Sequence, residues 1–104
     1  MLKRRFEILL PLQHNDGRPI SDESLSQTRE ELVERFGGIS VQPQSILGIW
    51  VREAARYEDI SVRLTVDVED TPENRQFFVE FKAVLLRRFE QLEIYIVSYP
   101  VDIL

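Results

Sequence analysis

The chain has 104 residues, a formal net charge of −5 at pH 7 and no cysteine. This length predicts a single domain over residues 1–104 that buries roughly two-thirds of its unfolded surface around one core. The missing cysteines exclude disulfides, thiolate catalysis and cysteine-ligated metals, while the acidic balance disfavours binding to nucleic acid. We expect a cytoplasmic protein without a membrane span, because there is no run of about 20 apolar residues and Glu7 and Pro11 interrupt the apolar start.

The first predicted strand covers residues 5–12, in which apolar and polar side chains largely alternate. A polar, glycine-containing turn at residues 13–19 separates this strand from a helix. Ser21 is a good N-cap for the helix, and Gly37-Gly38 ends it, with one glycine in the left-handed conformation. The inward stripe expected from helical spacing consists of Leu25, Thr28, Leu32, Val33 and Phe36.

Alternation along the second predicted strand, residues 46–52, allows either face to point inward. The better core set is Leu47, Ile49 and Val51, which would place Ile46, Gly48, Trp50 and Arg52 on the open face. Residues 53–56 are too few for anything but a hairpin connection. Because they lack the Asn-Gly or Gly-Gly of a two-residue turn, we expect a four-residue loop built on a type I turn.

The most regular alternation in the chain runs over residues 60–68 and predicts the third strand. Its apolar face consists of Val62, Leu64, Val66 and Val68, and its other face of Ser61, Arg63, Thr65 and Asp67. A strand with so polar a second face cannot lie between two helical layers. We therefore expect helices on one side of the sheet only, while the other side meets water, a ligand or another subunit.

A second helix is predicted to begin at Thr71, a capping residue followed by Pro72 at the first helical position. Its expected inward stripe is rich in aromatic residues: Phe77, Phe78, Phe81, Val84, Leu85, Phe89 and Leu92. The last predicted strand covers residues 93–99 and is stopped by Pro100. Its two faces carry Ile94, Ile96 and Ser98 on one side and Tyr95, Val97 and Tyr99 on the other.

The predicted order of elements is strand, helix, strand, strand, helix, strand. Two right-handed crossovers around a hairpin give a ferredoxin-like α+β fold. Its sheet is antiparallel and four-stranded with the strand order 4-1-3-2, and both helices cover the same face.

Four short motifs lie along most of this predicted fold: Phe36-Gly37-Gly38-Ile39-Ser40, Gly48-Ile49-Trp50, Glu58-Asp59, and Arg88-Phe89-Glu90-Gln91 at the end of a helix. They resemble a family of small uncharacterised bacterial proteins with the pattern Phe-x-Gly-hydrophobic-Thr/Ser, then Gly-x-Trp, then Glu. The resemblance covers residues 30–99. It implies a ferredoxin-like fold and implies no particular reaction, cofactor or catalytic residue.

The open face of the sheet should carry an unusual number of large side chains. The residues predicted for a binding or dimer face are Trp50, Arg63, Thr65, Tyr95, Val97 and Tyr99. Tryptophan, tyrosine and arginine are enriched at the energetic centres of interfaces, and a monomer rarely leaves so large an apolar patch bare. The competing interpretation is that Trp50 points inward and the tyrosines are scattered over a wetted sheet.

His14 is the only histidine, and it lies in the loop before the first helix. A functional interpretation makes it a general base or metal ligand near Asp16, helped by Glu58 and Asp59 from another loop. The competing interpretation is a solvated turn in which the polar residues serve only backbone geometry. With one histidine and no convergent ligand spacing, we predict no catalytic residue, no metal and no cofactor.

These patterns predict a small interaction or accessory module that forms a homodimer through its open sheet face. The alternative is a small cofactor-independent enzyme of the dimeric α+β-barrel type, with a site between the sheet and the loops. The expected partners are a second copy and a small molecule or another protein. Nucleic acid is disfavoured, because the central strands offer Glu7, Leu9 and Arg63 where RNA-binding domains of this topology carry stacking aromatics.

Overall fold

The computed structural model describes residues 2–104, which fold into four strands and two helices. The elements are β1 (Lys3–Pro11), α1 (Asp22–Phe36), β2 (Ser40–Arg52), β3 (Ala55–Glu69), α2 (Pro72–Arg88) and β4 (Ile96–Val101). The strands form one antiparallel sheet in the order β2-β3-β1-β4, which is the predicted order read from the other edge. The predicted ferredoxin-like α+β fold is therefore confirmed.

Both helices begin at the capping residues that the sequence predicts. Ser21 accepts a hydrogen bond from the Ser24 backbone N–H at 3.2 Å, and Thr71 accepts one from the Asn74 N–H at 3.2 Å. α1 ends at Gly37, whose φ of 86° is the left-handed conformation that glycine adopts without strain. Within residues 2–104, no helix has the length and apolar character needed to span a membrane.

The hydrophobic core lies between the sheet and the helices. The strands contribute Phe6, Ile8, Leu10, Leu64, Val66 and Val68, and the helices with the segments beside them contribute Ile20, Leu32, Phe78, Phe81, Leu85, Phe89 and Ile94. Phe6 stacks on Phe78 with ring centroids 3.9 Å apart, which joins β1 to α2. Val33 and Leu92, both expected to point inward, are exposed, because Leu92 lies beyond the end of α2 and Val33 at the margin of the α1 stripe.

The β2–β3 hairpin corrects the core set expected for the second strand. Leu47, Ile49 and Val51 lie on the side of the sheet that faces the helices. Leu47 pairs with Ile60, and Ile60 is on the same side of β3 as the core residue Leu64. They are not buried, however: Leu47 is 61% exposed and Val51 is 68% exposed. Alternation identifies which residues share a face, but it does not reveal how far the covering layer reaches.

The hairpin turn is tighter than the sequence indicates. β2 ends at Arg52 and β3 begins at Ala55, so Glu53 and Ala54 form a two-residue turn rather than the expected four-residue loop. Their φ angles are 51° and 65°, and positive φ at both central residues is the property of type I′ turns. The right-handed twist of the two long strands favours this turn, although neither residue is the usual asparagine or glycine.

All four strands differ from their predicted bounds, and the differences at β2 and β4 involve prolines. β2 starts earlier than residue 46, and its pairing with β3 shifts between Gln42 and Ile46, around Pro43, which has no N–H to donate. β4 covers Ile96–Val101, and Pro100 lies inside it instead of ending it. An edge strand tolerates this proline because one of its two sides has no hydrogen-bonded neighbour.

Candidate association and ligand surface on the open sheet face

The cross-strand register gathers the predicted binding or dimer residues on one face of the sheet. The direct pairs are Thr65 with Glu7, Arg63 with Leu9, Trp50 with Tyr57, Val97 with Glu7, and Tyr99 with Arg5. Tyr95 continues the β4 row, and its carbonyl accepts a hydrogen bond from the Leu9 N–H at 3.0 Å. All six predicted residues lie opposite the helices, so Trp50 belongs to this open face and not to the core.

One end of the open face is held by polar contacts within the chain. Arg5 donates two hydrogen bonds to the Asp67 carboxylate, at 2.7 and 2.9 Å, and the Tyr99 hydroxyl donates one to Glu7 Oε1 at 2.7 Å. The Arg5 guanidinium lowers the pKa of Asp67, while the Glu7 carboxylate raises the pKa of Tyr99. Asp67 is therefore ionised and Tyr99 keeps its proton at neutral pH.

The other end of the open face contains a mainly apolar cavity of about 340 Å³. It is lined by Leu9, Pro11, Ile46, Gly48, Ile49, Trp50, Asp59, Ser61, Gln91, Glu93, Ile94 and Tyr95. The Trp50 indole stacks on Tyr57 with ring centroids 4.4 Å apart and donates a hydrogen bond to the Asp59 carboxylate. The stacking and the hydrogen bond together fix the orientation of the indole at the cavity.

The two acidic residues that line this cavity already have partners. Asp59 accepts the indole N–H of Trp50. Glu93 forms an ion pair with Lys82 Nζ at 2.7 Å and accepts the Ile94 backbone N–H at 2.9 Å. The Lys82 ammonium is the main cause of the lowered pKa of Glu93. The cavity therefore offers apolar surface beside two hydrogen-bonded carboxylates, of which Glu93 is paired with a positive charge.

Arg63 lies next to this cavity and has no acidic partner. It pairs with Leu9 and is two residues from Ser61 on the same face, and both of these residues line the cavity. Its Nη1 donates to Gln42 Oε1 at 2.9 Å, whereas its Nε is buried without an acceptor. No carboxylate within residues 2–104 forms an ion pair with Arg63. A buried donor without an acceptor is unfavourable by roughly 1–3 kcal/mol.

The loop around His14 borders a second cavity of about 180 Å³. Glu58 and Asp59 line the same cavity, so the structure brings together three residues that the catalytic interpretation considers. The side chain of His14 is 17% exposed, which is less than a solvated turn would give. Its Nδ1 is 3.3 Å from Glu90 Oε2 but is not aligned for a hydrogen bond.

Asp16 serves the turn geometry. It accepts hydrogen bonds from the Arg18 backbone N–H at 3.0 Å and from Arg18 Nε at 2.7 Å. The backbone hydrogen bond, followed by the side-chain one, lowers the pKa of Asp16. Over the described range 2–104, no group of three or more His, Asp or Glu side chains is arranged to hold a metal ion.

A larger groove of about 690 Å³ lies between the end of α1 and the end of β3. Its lining includes Glu31, Glu34, Arg35 and Asp67, so side chains of both charge signs border it. A wide polar groove of this kind is typical of solvated surface, whereas small-molecule sites are concave and mostly apolar. The cavity at Trp50 fits the second description better.

Tyr57 is a member of the open face that the sequence prediction misses, because that prediction begins the third strand at residue 60. Tyr57, Asp59 and Ser61 continue the alternation towards the start of β3, and this pattern is the signal that identifies them. The role of Gln42 has no comparable signal, because its contact with Arg63 joins residues 21 positions apart.

No family model and no curated protein sequence matches the chain. Among solved structures, the divalent cation tolerance protein CutA1 from Thermus thermophilus is 18% identical, with 97% of this chain and 85% of that chain covered and a TM-score of 0.64. A phage SAM lyase in complex with S-methyl-5'-thioadenosine is 15% identical, with 97% and 90% covered and a TM-score of 0.66. CutA1 from Oryza sativa is 9% identical, with 98% and 82% covered and a TM-score of 0.64. At these identities the likeness establishes the fold, which is that of small ferredoxin-like proteins.

Proposed function

We propose that this chain is a cytoplasmic interaction module, a single domain over residues 1–104, that forms a homodimer through its open sheet face. The observation that carries the proposal is the uncovered aromatic surface of that face. Tyr95 is 61% exposed and Tyr99 is 39% exposed, and Trp50, Val97 and Leu9 are only partly covered. Burying large side chains of this kind against a second surface contributes favourable free energy.

Part of the charge on the open face is neutralised within one chain. Arg5 pairs with Asp67 inside one chain, and Tyr99 donates to Glu7. In a two-fold interface each copy presents the same patch, so unpaired like charges near the axis would repel each other. The Arg5–Asp67 pair removes part of that repulsion, whereas Glu7, which is bonded to a neutral hydroxyl, and Arg63 would still require partners or water.

The exposed hairpin residues give further support to association with another polypeptide. Leu47, Ile49 and Val51 lie on β2, which is an edge strand of the sheet. Proteins usually protect edge strands with charges or a covering segment, because unpaired edges with apolar side chains promote contacts between chains. A second copy that covers the open face could also extend over this edge.

Light scattering coupled to gel filtration tests the proposal directly. We expect the wild type to have the mass of a dimer at micromolar concentration, and Tyr95→Asp and Trp50→Asp to be folded monomers. Val79→Asp is the control, because Val79 is exposed on α2, away from the sheet face. A monomeric wild type, or a loss of dimer in the control equal to that in Tyr95→Asp, would remove the proposal.

A small cofactor-independent enzyme is the second candidate, and the cavity that His14 shares with Glu58 and Asp59 supports it. A similar fold occurs in a phage SAM lyase in complex with S-methyl-5'-thioadenosine, which supports the view that this architecture can carry a lyase site. In this proposal His14 is a general base. Calorimetric titration with S-methyl-5'-thioadenosine should give saturable binding to the wild type and weaker binding to His14→Ala. Absence of binding to the wild type would count against this candidate.

A further inference from the structure

We propose that the cavity beside Trp50 binds a small aromatic carboxylate, with the ring inside the cavity and the carboxylate on Arg63. The proposal goes beyond self-association, because one copy of the chain supplies every group that it uses. The cavity volume of about 340 Å³ is near the lower limit of sites for small organic ligands. A compound of one to three rings is therefore the appropriate size.

The surfaces around the cavity suit a flat, apolar body. Trp50 and Tyr95 bring aromatic side chains to it, and Leu9, Pro11 and Ile46 bring aliphatic ones. The orientation of Trp50 is fixed before any ligand arrives, since its ring stacks on Tyr57 and its N–H is bonded to Asp59. A preorganised aromatic surface loses little conformational entropy when a second ring packs on it.

The charge distribution favours an anionic group at one edge of the cavity. Arg63 follows Ser61 on the same face, and two residues along a strand correspond to about 7 Å, which a ring substituent can span. Its present partner is the neutral side chain of Gln42, and its Nε has no acceptor. A rotation of the guanidinium towards a ligand carboxylate would replace one hydrogen bond to a neutral acceptor with hydrogen bonds to a charged one and give Nε an acceptor.

A cationic ligand fits the same cavity less well. Asp59 and Glu93 are the acidic residues in the lining, and each already binds a donor of the chain, Trp50 and Lys82 respectively. A ligand cation would share a carboxylate with one of these donors, and beside Glu93 it would be repelled by the Lys82 ammonium. A ligand carboxylate displaces only the amide of Gln42, which keeps access to water at the exposed surface.

Two fluorescent probes with the same ring system separate the ring site from the anion site. 1-Anilinonaphthalene-8-sulfonate carries an anionic group that stands for the carboxylate, and N-phenyl-1-naphthylamine is its neutral counterpart. Trp50 is the only tryptophan, so energy transfer from it reports that a probe is bound to the protein, and the variants below locate the site. We expect saturable binding of the anionic probe to the wild type, about tenfold weaker binding to Arg63→Gln, and unchanged binding of the neutral probe.

Two further variants complete the test, with near-ultraviolet circular dichroism to show that each remains folded. Ile46→Asp should weaken both probes, because it places a charge in the cavity lining. Arg56→Gln is the matched control, since Arg56 is an exposed arginine of the same hairpin that pairs with Glu58.

Equal losses in Arg63→Gln and Arg56→Gln, no saturable binding to the wild type, or tighter binding of the neutral probe would each overturn the proposal. Because the titration is performed alongside light scattering, a monomeric protein that still binds would refute the dimer and leave the ligand site standing.

Discussion

The guanidinium of Arg88 on α2 lies 2.6 Å from the carboxylate of Glu31 on α1, so an ion pair joins the two helices above the sheet. The same guanidinium donates a hydrogen bond to Thr28 Oγ1 at 2.9 Å. Arg88 is 13% exposed and Thr28 is fully buried, so water cannot readily replace these contacts. The two helices cover the face of the sheet opposite the candidate surface. The contact between Arg88 and Glu31 therefore stabilises the helical layer that covers that face.

Arg88→Ala should lower the free energy of unfolding by about 1–3 kcal/mol, because it removes hydrogen bonds of a mostly buried guanidinium to Glu31 and to the buried Thr28. Arg87→Ala is the matched control, since Arg87 is an exposed neighbour in the same last turn of α2 and should change stability by less than about 0.5 kcal/mol. Urea unfolding followed by circular dichroism measures both values. Equal effects in the two variants would contradict the proposed role of the ion pair.

Asp70 should make stability depend on pH in the acid range. Arg4 Nε lies 3.1 Å from its carboxylate and Arg75 Nη2 lies 2.9 Å from it, and the pKa of Asp70 is lowered mainly by Arg4. A carboxyl group whose pKa is lower in the folded state stabilises the fold above its unfolded pKa of about 4, and this contribution is lost as pH falls through the folded pKa. The stabilisation is thus complete at neutral pH.

We therefore expect Asp70→Asn to be less stable than the wild type at pH 7, with a difference that shrinks as the pH falls below about 4. Urea unfolding across a pH series measures this difference. Asp102→Asn is the control, because Asp102 is exposed near the end of the chain and forms no ion pair among the described residues. A difference between Asp70→Asn and the wild type that stays constant down to pH 2 would refute the linkage.

The β2–β3 turn allows a prediction in which one type of substitution has opposite effects at two sites. Ala54 has φ of 65°, a conformation that glycine adopts at lower cost, so Ala54→Gly should raise the free energy of unfolding by up to about 1 kcal/mol. Ala83→Gly, at an exposed position inside α2, should lower it by about 1 kcal/mol. Thermal and urea unfolding of both variants check the signs. A destabilising Ala54→Gly would show that the turn is not of the type I′ form.

The sequence was sufficient to predict which residues share a face, because that depends only on the two-residue period of strands. It therefore grouped Arg63 with Thr65 and Tyr95 with Tyr99, and it favoured the open face for Trp50 without deciding between the two faces of that strand. It was not sufficient to predict the exposure of Leu47, because exposure depends on how far the helices extend over the hairpin. The sequence also could not predict that Arg63 lacks an acidic partner, because this depends on which residues the fold brings next to it.

The hairpin supplies the last prediction, because its apolar residues are exposed in one copy of the chain. Ile49→Thr should change the free energy of unfolding by less than about 0.5 kcal/mol in dilute protein, since a β-branched residue at an exposed strand position is replaced by another. Leu64→Ala, at a site that is 1% exposed in the same sheet, should cost about 2–5 kcal/mol. Urea unfolding at low and high protein concentration measures both effects. If a second copy covers the hairpin, Ile49→Thr should lower the free energy of unfolding more at high than at low protein concentration. Leu64→Ala should show its full loss of core packing already in the dilute protein. A large cost of Ile49→Thr in dilute monomer would contradict the exposed position of the hairpin.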